Sequence, residues 1–350
     1  MAAAATGAGT DDGRRLRWGV LSTADIGLRK VIPGMRRSAR SEVVAIASRE
    51  GGRAERVARE LGIPRAHGSY EALLADPDVD AVYIPLPNHL HAEWAIAAVR
   101  AGKHVLCEKP LAMTSTDAER MVRAADDAGV HLMEAFMYRH HPSWVAAIEL
   151  VRAGRIGKVR SVQSWFSYYN DDATNIRNIV EYGGGALFDI GCYTINLSRM
   201  VFGGEPSHIQ ASVRRDPATG VDALVSAILD FDGGIASFTC AIRSESDQRV
   251  HIYGTEGRIS IDIPFNIPPD RPTRIRLTAG GDPPVAPDTT VLEFPTTDPY
   301  TAEVERFVSA VLDGGPTPVP PEDAVANLRV IDAIFAIAER GPGAAPLTPA

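Results

Sequence analysis

Lys103-His-Val-Leu-Cys-Glu-Lys-Pro-Leu111 is the stretch of sequence that decides the fold. Its apolar centre, Val105 to Cys107, predicts a short buried strand of a parallel sheet. Glu108 and Lys109 follow where that strand ends, and open α/β sheets bind their ligands at the carboxyl ends of strands. A solvated strand end would also explain a charged pair, so its interpretation depends on the rest of the chain.

Strands and helices alternate on both sides of this stretch. Apolar strands are predicted near 17–21, 41–48, 79–84, 105–107 and 130–137, and helices near 26–38, 52–61, 70–75, 91–101 and 118–128. Pro33 is expected to bend or interrupt the first helix. The alternation predicts a doubly wound parallel sheet in an α/β domain, to which we assign residues 14–141.

The pattern changes after Pro142, where strands follow one another with few helices between them. Strands are predicted near 158–168, 208–213, 223–231, 235–242, 250–253 and 258–263, and helices near 144–152, 300–312 and 322–339. Asp232-Gly-Gly-Ile235 predicts a hairpin turn, and the proline-rich residues 264–287 predict a long surface loop. We therefore expect a second, α+β domain over 142–340, with a large, mostly antiparallel open sheet.

Composition excludes several classes of protein. The chain has 350 residues, a net charge of -8 and no basic cluster, so nucleic acid is not an expected partner. It contains no apolar run long enough to span a bilayer, and residues 1–13 predict a disordered tail rather than a secretory signal. Residues 341–350 predict a loose tail. Three cysteines without a CxxC pair indicate reduced thiols and a cytoplasmic location.

A turn that fits a phosphate group follows the first strand. Ser22, Ala24 and Gly27 occupy the three positions of the dinucleotide fingerprint GxGxxG, of which only the last is glycine. Small side chains still allow a pyrophosphate to approach the backbone at a helix N-terminus. The predicted cofactor contacts in this turn are Ser22, Thr23, Ala24, Asp25 and Ile26.

The end of the second strand predicts which cofactor binds. NAD-binding folds carry an acidic residue about twenty residues beyond the glycine turn. Here Ser48 and Arg49 stand at that place, with Arg53 soon after. A hydroxyl and guanidinium groups suit a 2′-phosphate, which favours NADP(H) over NAD(H). The alternative is that both arginines are cations on a helix surface.

A second group of polar residues lies in the C-terminal half. Gly183, Gly184 and Gly185 lead into a predicted helix that carries Asp189, Tyr193 and Asn196. The spacings i, i+4 and i+7 place these three side chains on one helical face. Because the other helix residues are apolar, we predict that this polar stripe faces a ligand. A buried tyrosine hydrogen-bonded to the backbone is the alternative for Tyr193.

These motifs together resemble the Gfo/Idh/MocA family of oxidoreductases, over residues 18–339. The motifs that carry the resemblance are Gly19–Gly27, Pro85–His89, Glu108-Lys109-Pro110, Met133–Pro142, Gly183–Asn196 and Ile252–Gly257. The chain is similar to glucose-fructose oxidoreductases, dimeric dihydrodiol and xylose dehydrogenases, and deoxysugar 3-ketoreductases. The resemblance implies an N-terminal Rossmann domain that binds the cofactor and a C-terminal domain that binds the substrate and forms oligomers.

The resemblance also implies roles for individual residues. Lys109 is expected to reach the substrate and the nicotinamide ribose through a cis bond to Pro110, and Tyr193 to exchange a proton with the substrate. Asp189 is expected to bind a substrate hydroxyl. An ammonium near a phenol lowers the pKa of the phenol, which would bring Tyr193 closer to proton transfer at neutral pH. The further predicted cofactor contacts are Pro85, Leu86, Pro87, His89, Glu108, Lys109 and Arg139, and the further substrate contacts are Arg177 and Trp165.

Some of these assignments stay open at the level of sequence. Arg139, Trp165 and Arg177 could equally lie at a domain interface, and Glu108 could orient Lys109 or contact the cofactor ribose. No metal site is predicted, because His89 and His91 find no third ligand at a usual spacing.

The sequence as a whole predicts an NADP(H)-dependent oxidoreductase of a sugar or a similar alcohol or ketone. The alternatives are an NAD-dependent aldose or anhydrosugar dehydrogenase, and a nucleotide-sensing relative without catalysis. Residues 167–181 and the proline-rich segment are expected to select the substrate. By resemblance, a homodimer or homotetramer would form through the C-terminal sheet.

Overall fold

Two β-sheets form the core of the chain in its computed structural model, which describes residues 13–282 and 285–340. One sheet has six strands and the other has eight. The tails predicted at both ends lie, except for Gly13, outside the described residues. Within the described ranges, no helix is long and apolar enough to cross a membrane.

The N-terminal sheet is parallel throughout, as predicted. Its strands are β1 (Leu16–Leu21), β2 (Ser41–Ala47), β3 (Arg65–His67), β4 (Ala81–Ile84), β5 (His104–Glu108) and β6 (Leu132–Ala135). Its helices are α1 (Ile32–Arg37), α2 (Gly51–Leu61), α3 (Tyr70–Leu74), α4 (His91–Arg100) and α5 (Ser115–Ala128). The strand order is β3-β2-β1-β4-β5-β6, so the order reverses between β1 and β4. Ligands of open α/β sheets bind at such a reversal.

Pro33 does not interrupt the first helix. Helical backbone runs from Asp25 to Arg37, with a π-helical turn over Gly27–Val31. Pro33 lies in the first turn of α1, directly after the wider turn. Because the helix already begins at Asp25, Pro33 lies inside it, and the π-helical turn directly before it is the irregularity that accommodates the proline.

The C-terminal half forms the large sheet. Its strands are β7 (Val159–Tyr169), β8 (His208–Arg215), β9 (Asp222–Phe231), β10 (Gly234–Ala241), β11 (Arg243–Gly254), β12 (Gly257–Ile261), β13 (Thr273–Asp282) and β14 (Ala286–Phe294). Its helices are α6 (Pro142–Arg152), α7 (Cys192–Phe202), α8 (Pro299–Asp313) and α9 (Glu322–Arg340). The order is β14-β13-β12-β11-β7-β10-β9-β8, and the β7–β10 pair is parallel while the other pairs are antiparallel. This confirms the mostly antiparallel sheet and the turn at Asp232-Gly233.

The predicted surface loop over 264–287 is wrong for its second half. Residues from Thr273 onward form β13, which pairs with β14 in an antiparallel hairpin. Ile275 and Leu277 are buried, whereas Arg274 and Arg276 between and beside them are exposed. This is the period-two alternation of a strand with one solvated face. The prolines that suggested a loop lie on either side of this alternating segment.

Helix α8 packs against the N-terminal sheet although it comes late in the chain. Phe307 lies 5.4 Å from Trp18 between ring centroids, and Val304 and Val308 are buried in the same apolar cluster. Helix α9 packs against α5 and α7. The predicted domain boundary at residue 141 therefore matches the order of strands and helices along the chain. The N-terminal sheet, however, is also covered by α8, a helix that follows this boundary.

Candidate active site

A cleft of about 710 Å³ lies where the carboxyl ends of β1, β4 and β5 meet the C-terminal half. Its other walls come from β7, from the segment 172–177 and from the helical turn before α7. The predicted site residues that line this cleft are Ala24, Asp25, Ile26, Pro85, Leu86, Glu108, Lys109, Arg177, Asp189 and Tyr193. The fold thus brings residues from both predicted motifs into one cavity.

Lys109 and Asp189 meet across the two halves of the chain. The Lys109 Nζ donates to the Asp189 carbonyl oxygen at 2.6 Å and to the carboxylate Oδ1 at 3.3 Å. Both side chains are nearly buried, with 13% and 12% exposed. Burial disfavours the charge of Lys109, but Asp189 outweighs burial and raises the pKa of the ammonium. The Lys109-Pro110 bond is cis, as expected.

Asp189 accepts two further hydrogen bonds through its other carboxylate oxygen. Arg177 Nε donates to Oδ2 at 3.1 Å, and the Tyr168 hydroxyl donates to the same oxygen at 2.5 Å. Burial would raise the pKa of Asp189, but the charges of Lys109 and Arg177 outweigh it and lower that pKa to about 2. Asp189 is therefore ionised at neutral pH and held by three donors.

Tyr193 lies beside this group in an aromatic enclosure. The rings of Phe136, Phe166 and Phe265 lie 5.0 to 5.8 Å from its ring, centroid to centroid. Its hydroxyl has a weak hydrogen bond to Met137 Sδ at 3.7 Å.

The expected lowering of the Tyr193 pKa is not found. The Lys109 Nζ lies 5.2 Å from the centroid of the Tyr193 ring, and its hydrogen bonds go to Asp189. Burial then raises the pKa of Tyr193 well above its ordinary value of 10, and Tyr300 and nearby acidic groups add to the effect. The phenol therefore keeps its proton at neutral pH.

The predicted polar stripe divides into two separate groups. A π-helical turn over Leu187–Gly191 precedes α7 and shifts the phase of the helix, so the i, i+4, i+7 rule does not hold. Asn196 accepts from the Tyr138 hydroxyl at 2.6 Å and donates to Asp323 of α9 at 2.9 Å. Asn196 thus serves the packing of α9, and only Asp189 and Tyr193 reach the cleft.

A residue of β4 holds the carboxylate of Glu108 by a hydrogen bond. The Tyr83 hydroxyl donates to Glu108 Oε1 at 2.5 Å. Burial raises the pKa of Glu108, although this hydrogen bond and the charge of Lys109 oppose the rise. Glu108 lines the cleft beside Lys109, so either role left open by the sequence remains compatible with its position.

The loop after β4 is held against the Lys109-Pro110 turn. The two ring nitrogens of His91 lie 2.8 Å from the carbonyl oxygens of Leu86 and Pro110. His89 stacks on Tyr182 at 4.6 Å between ring centroids, and its buried Nδ1 has no hydrogen-bond partner. Pro85, Leu86 and Asn88 of this loop line one edge of the cleft, whereas Pro87 and His89 lie outside its lining.

The turn after β1 fits a dinucleotide. Ser22 has a positive φ of 137°, and its Oγ accepts from the Ala24 N–H at 3.1 Å and donates to the Pro85 carbonyl at 3.2 Å. Arg53 donates to the Thr23 carbonyl at 3.4 Å. The residues predicted to bind the 2′-phosphate thus lie next to the turn predicted to bind the pyrophosphate, at the start of a helical segment.

The serine hydroxyl that is predicted to contact the 2′-phosphate also has a defined place. Ser48 is buried at the end of β2, and its Oγ accepts from the Glu50 N–H at 3.2 Å. Arg49 and Arg53 are both exposed, and both act electrostatically on Tyr70. An exposed pair of guanidinium groups beside a serine is suited to a phosphate monoester.

Comparison with known proteins places the chain in a family. The oxidoreductase family with an NAD-binding Rossmann fold matches residues 16–136, and the GFO/IDH/MocA C-terminal domain matches residues 144–260. The chain belongs to the GFO/IDH/MocA oxidoreductases. This membership confirms the predicted family, the α/β Rossmann fold, the assignment as an enzyme and a nicotinamide dinucleotide as its cofactor.

Several members of the family resemble this oxidoreductase over nearly its whole length. D-xylose 1-dehydrogenase (NADP(+)) 2 of Haloferax volcanii is 44% identical over 331 residues, which are 93% of this chain and 98% of that protein. A 3-ketoreductase from Actinomadura kijaniata, in complex with NADP and TDP-benzene, is 32% identical with a TM-score of 0.83, covering 92% of this chain and 98% of its own. An aldose-aldose oxidoreductase from Caulobacter crescentus, complexed with glycerol, is 30% identical with a TM-score of 0.85, covering 94% and 98%.

Two predicted ligand contacts of this oxidoreductase lie away from the cleft. Arg139 donates to Asp323 of α9 at 2.6 Å and to Asn196, so it joins elements of the two halves. Trp165 donates to Ser167 Oγ at 2.8 Å and lines a larger hollow of about 1190 Å³ on the outer face of the C-terminal sheet. The reason is the alternation of β7, in which every second residue faces the cleft. The structure thus corrects both contacts in favour of the interface alternative for Arg139 and of the outer face for Trp165.

Three tyrosines of the site were not predicted individually. Tyr168 lies in the segment expected to select the substrate. Tyr168 and Trp165 lie on opposite faces of β7, and this alternation along the strand is the sequence signal that could have identified Tyr168 as a cleft residue. Tyr83 lies in β4 within a continuous apolar run, and Tyr300 reaches the cleft from α8. Neither position could be inferred from a local pattern, because the first looks like a core residue and the second comes from a helix far along the chain.

Proposed function

We propose that this chain is an NADP(H)-dependent oxidoreductase that interconverts an alcohol and a carbonyl group on a sugar or sugar derivative. The convergence of Lys109, Asp189 and Tyr193 in one cleft carries the proposal. The xylose dehydrogenase relative is NADP(+)-dependent, and the 3-ketoreductase was solved with NADP. These relatives support both the sugar substrate and the phosphorylated cofactor.

The cofactor is assigned to the N-terminal edge of the cleft. Residues 22–26 would hold the pyrophosphate, and Ser48, Arg49 and Arg53 would hold the 2′-phosphate. The exposed arginine pair, together with Ser48 and Arg49 at the place where NAD-binding folds carry an acidic residue, supports NADP(H) over NAD(H). When bound, the nicotinamide supplies or accepts the hydride.

The side chains of the C-terminal wall would handle the oxygen of the reacting carbon. In reduction the carbonyl carbon gains the hydride and its oxygen gains the proton of the Tyr193 hydroxyl, which gives the alcohol and a phenolate that then takes a proton from solvent. Oxidation is the reverse and starts from that phenolate. Tyr193 is protonated at neutral pH, which is the form that can donate. Lys109 keeps its charge and stabilises negative charge that develops on the oxygen. Asp189 would accept a hydrogen bond from a neighbouring hydroxyl.

The test is steady-state kinetics on Tyr193→Phe and Lys109→Met. Each variant should lose about 100-fold or more in kcat, because general acid–base catalysis contributes about 10²–10⁴-fold. The substrates would be aldoses, deoxysugars and nucleotide-linked ketosugars, assayed in both directions with NADP(H). Tyr253→Phe and Lys158→Met, which change the same groups outside the cleft, are the matched controls. Full turnover by both site variants would refute the proposed mechanism.

A further inference from the structure

The glycine triplet before α7 has the appearance of a phosphate-binding loop, but its N–H groups are already used. Gly183 donates to the Val180 carbonyl at 3.0 Å, Gly184 to the Ile179 carbonyl at 3.0 Å, and Gly185 to the Arg177 carbonyl at 2.9 Å. A phosphate group binds such a loop through free backbone N–H groups. The triplet is therefore a closed turn and offers little to an anion.

A carboxylate of the chain itself occupies the helix N-terminus that follows. Asp222 of β9 is buried, and its Oδ2 accepts from the Leu187 N–H at 2.6 Å. A Cβ on Gly185 would lie 1.9 Å from Asp222 Oδ1, so the glycine is what allows this carboxylate to approach. The position that a substrate phosphate would take at a helix N-terminus is thus filled from within.

The cations of the substrate side share one counterion. Lys109 and Arg177 both lie against Asp189, which places two positive charges on one shared carboxylate. Among the described residues that line the cleft, Asp172 and Glu108 add further negative charge. A nucleoside diphosphate brings about two negative charges of its own and is usually met by uncommitted Arg or Lys side chains.

The remaining polar lining suits hydroxyl groups. The Tyr168 hydroxyl, Thr174, Asn175 and Asn266 line the same cavity beside the anchored carboxylate of Asp189. Neutral donors and acceptors around one carboxylate match the alternating hydroxyls of a polyol, each of which both donates and accepts. The chemistry of the wall is therefore that of a site for an uncharged, polyhydroxylated molecule.

We propose that the substrate is an uncharged sugar or polyol, and that sugars linked to a nucleoside diphosphate are excluded. The proposal rests on the proposed function, because it assigns the substrate class of the same cleft. The proposed substrate class distinguishes this chain from family members that act on a nucleotide-linked sugar. The physical basis is that, among the described residues of the cleft, the glycine triplet offers no free N–H groups and the carboxylates outnumber the cations.

The experiment uses the full chain saturated with NADP(+), so that a nucleotide probe cannot occupy the cofactor site. The probe is dTDP, titrated by calorimetry up to about 1 mM and added as an inhibitor to the turnover of free aldoses. A preceding titration with NADP(+) on the same preparation shows that the protein is folded and binding-competent. We expect turnover of at least one free aldose, no saturable dTDP binding and no competitive inhibition.

The two ways of failing are distinguishable. Saturable dTDP binding that competes with the aldose, or kcat/KM for a dTDP-linked sugar tenfold above that for any free sugar, overturns the substrate class. Absence of turnover on free and linked sugars alike overturns the proposed function, and the dTDP titration then still decides whether the cleft accepts a diphosphate. Arg177→Gln provides a second readout, because a diphosphate bound in this cleft would weaken at least tenfold on losing that guanidinium.

Discussion

Replacing Asp189 by asparagine tests the central ion group of the cleft. The substitution keeps the shape of the side chain and removes its charge, leaving Lys109 and Arg177 without their shared counterion. We expect the variant to be less stable and to lose affinity for a sugar hydroxyl. Both effects follow from the position of this carboxylate between two cations in a nearly buried site.

The size of the stability loss follows from the pKa of Asp189. The folded protein lowers it from an ordinary 3.8 to about 2. At about 1.36 kcal/mol for each pKa unit, this corresponds to about 2 kcal/mol of stability contributed by the ionised form. The group has a lowered folded-state pKa, so its contribution is present above pH 3.8 and is lost as the pH falls toward 2. The difference between wild type and Asp189→Asn should therefore be the same at pH 5 and at pH 7.

Urea unfolding at both pH values would measure this difference. Asp172→Asn is the matched control, because Asp172 is an exposed carboxylate at the mouth of the same cleft and should change stability little. A loss below about 0.5 kcal/mol in Asp189→Asn, or a loss equal to that of the control, would refute the view that Asp189 is a stabilising counterion.

Two further predictions concern the cofactor and the glycine triplet. Arg53→Gln should raise KM for NADP(H) about tenfold and leave KM for NAD(H) nearly unchanged. The control Arg56→Gln, on the outer face of α2, should change neither KM. Equal effects of Arg53→Gln on both cofactors would contradict a 2′-phosphate contact. Gly185→Ala should destabilise the fold by more than about 2 kcal/mol in thermal or urea unfolding, because its φ is +114° and its Cβ would meet Asp222. Gly204→Ala, at a position with open space, should have little effect, and similar losses in the two variants would argue against the steric explanation.

Much of the N-terminal sheet could be predicted because its strands are buried on both faces. Continuous apolar runs such as Ala81 to Ile84 leave few alternatives once helices are recognised between them. The sequence does not predict the strand β3, because it has three half-buried residues and no pattern of its own. In the C-terminal half, Ile275 and Leu277 alternate with polar residues as in a strand, but the prolines on either side of them are typical of a loop.

The sequence predicts which residues belong to the candidate site better than it predicts how they are arranged. The sequence identifies Lys109, Asp189 and Tyr193 through local motifs and a family resemblance. Their contact across 80 residues of chain depends on how the two halves pack, which no local periodicity records. The π-helical turn before α7 shows the same limit, since one extra residue in a turn sends Asn196 to α9 instead of the cleft.

The pKa of Tyr193 was the clearest failure of sequence reasoning. A nearby ammonium lowers the pKa of a phenol only when it approaches the oxygen, and motif spacing gives no information on that distance. The enclosing aromatic rings come from the residue after β6, from β7 and from the segment after β12, so the extent of burial could be known only from the assembled fold.

The placement of α8 has a consequence for how the protein is made. A nascent chain generally folds from its N-terminus as it leaves the ribosome. Here Trp18 of β1 is covered by Phe307, so the face of the N-terminal sheet beside β1 stays open to solvent until synthesis has passed α8. The Rossmann half is therefore translated first but finished late, and its exposed tryptophan face must be kept from aggregation for most of the time that translation takes.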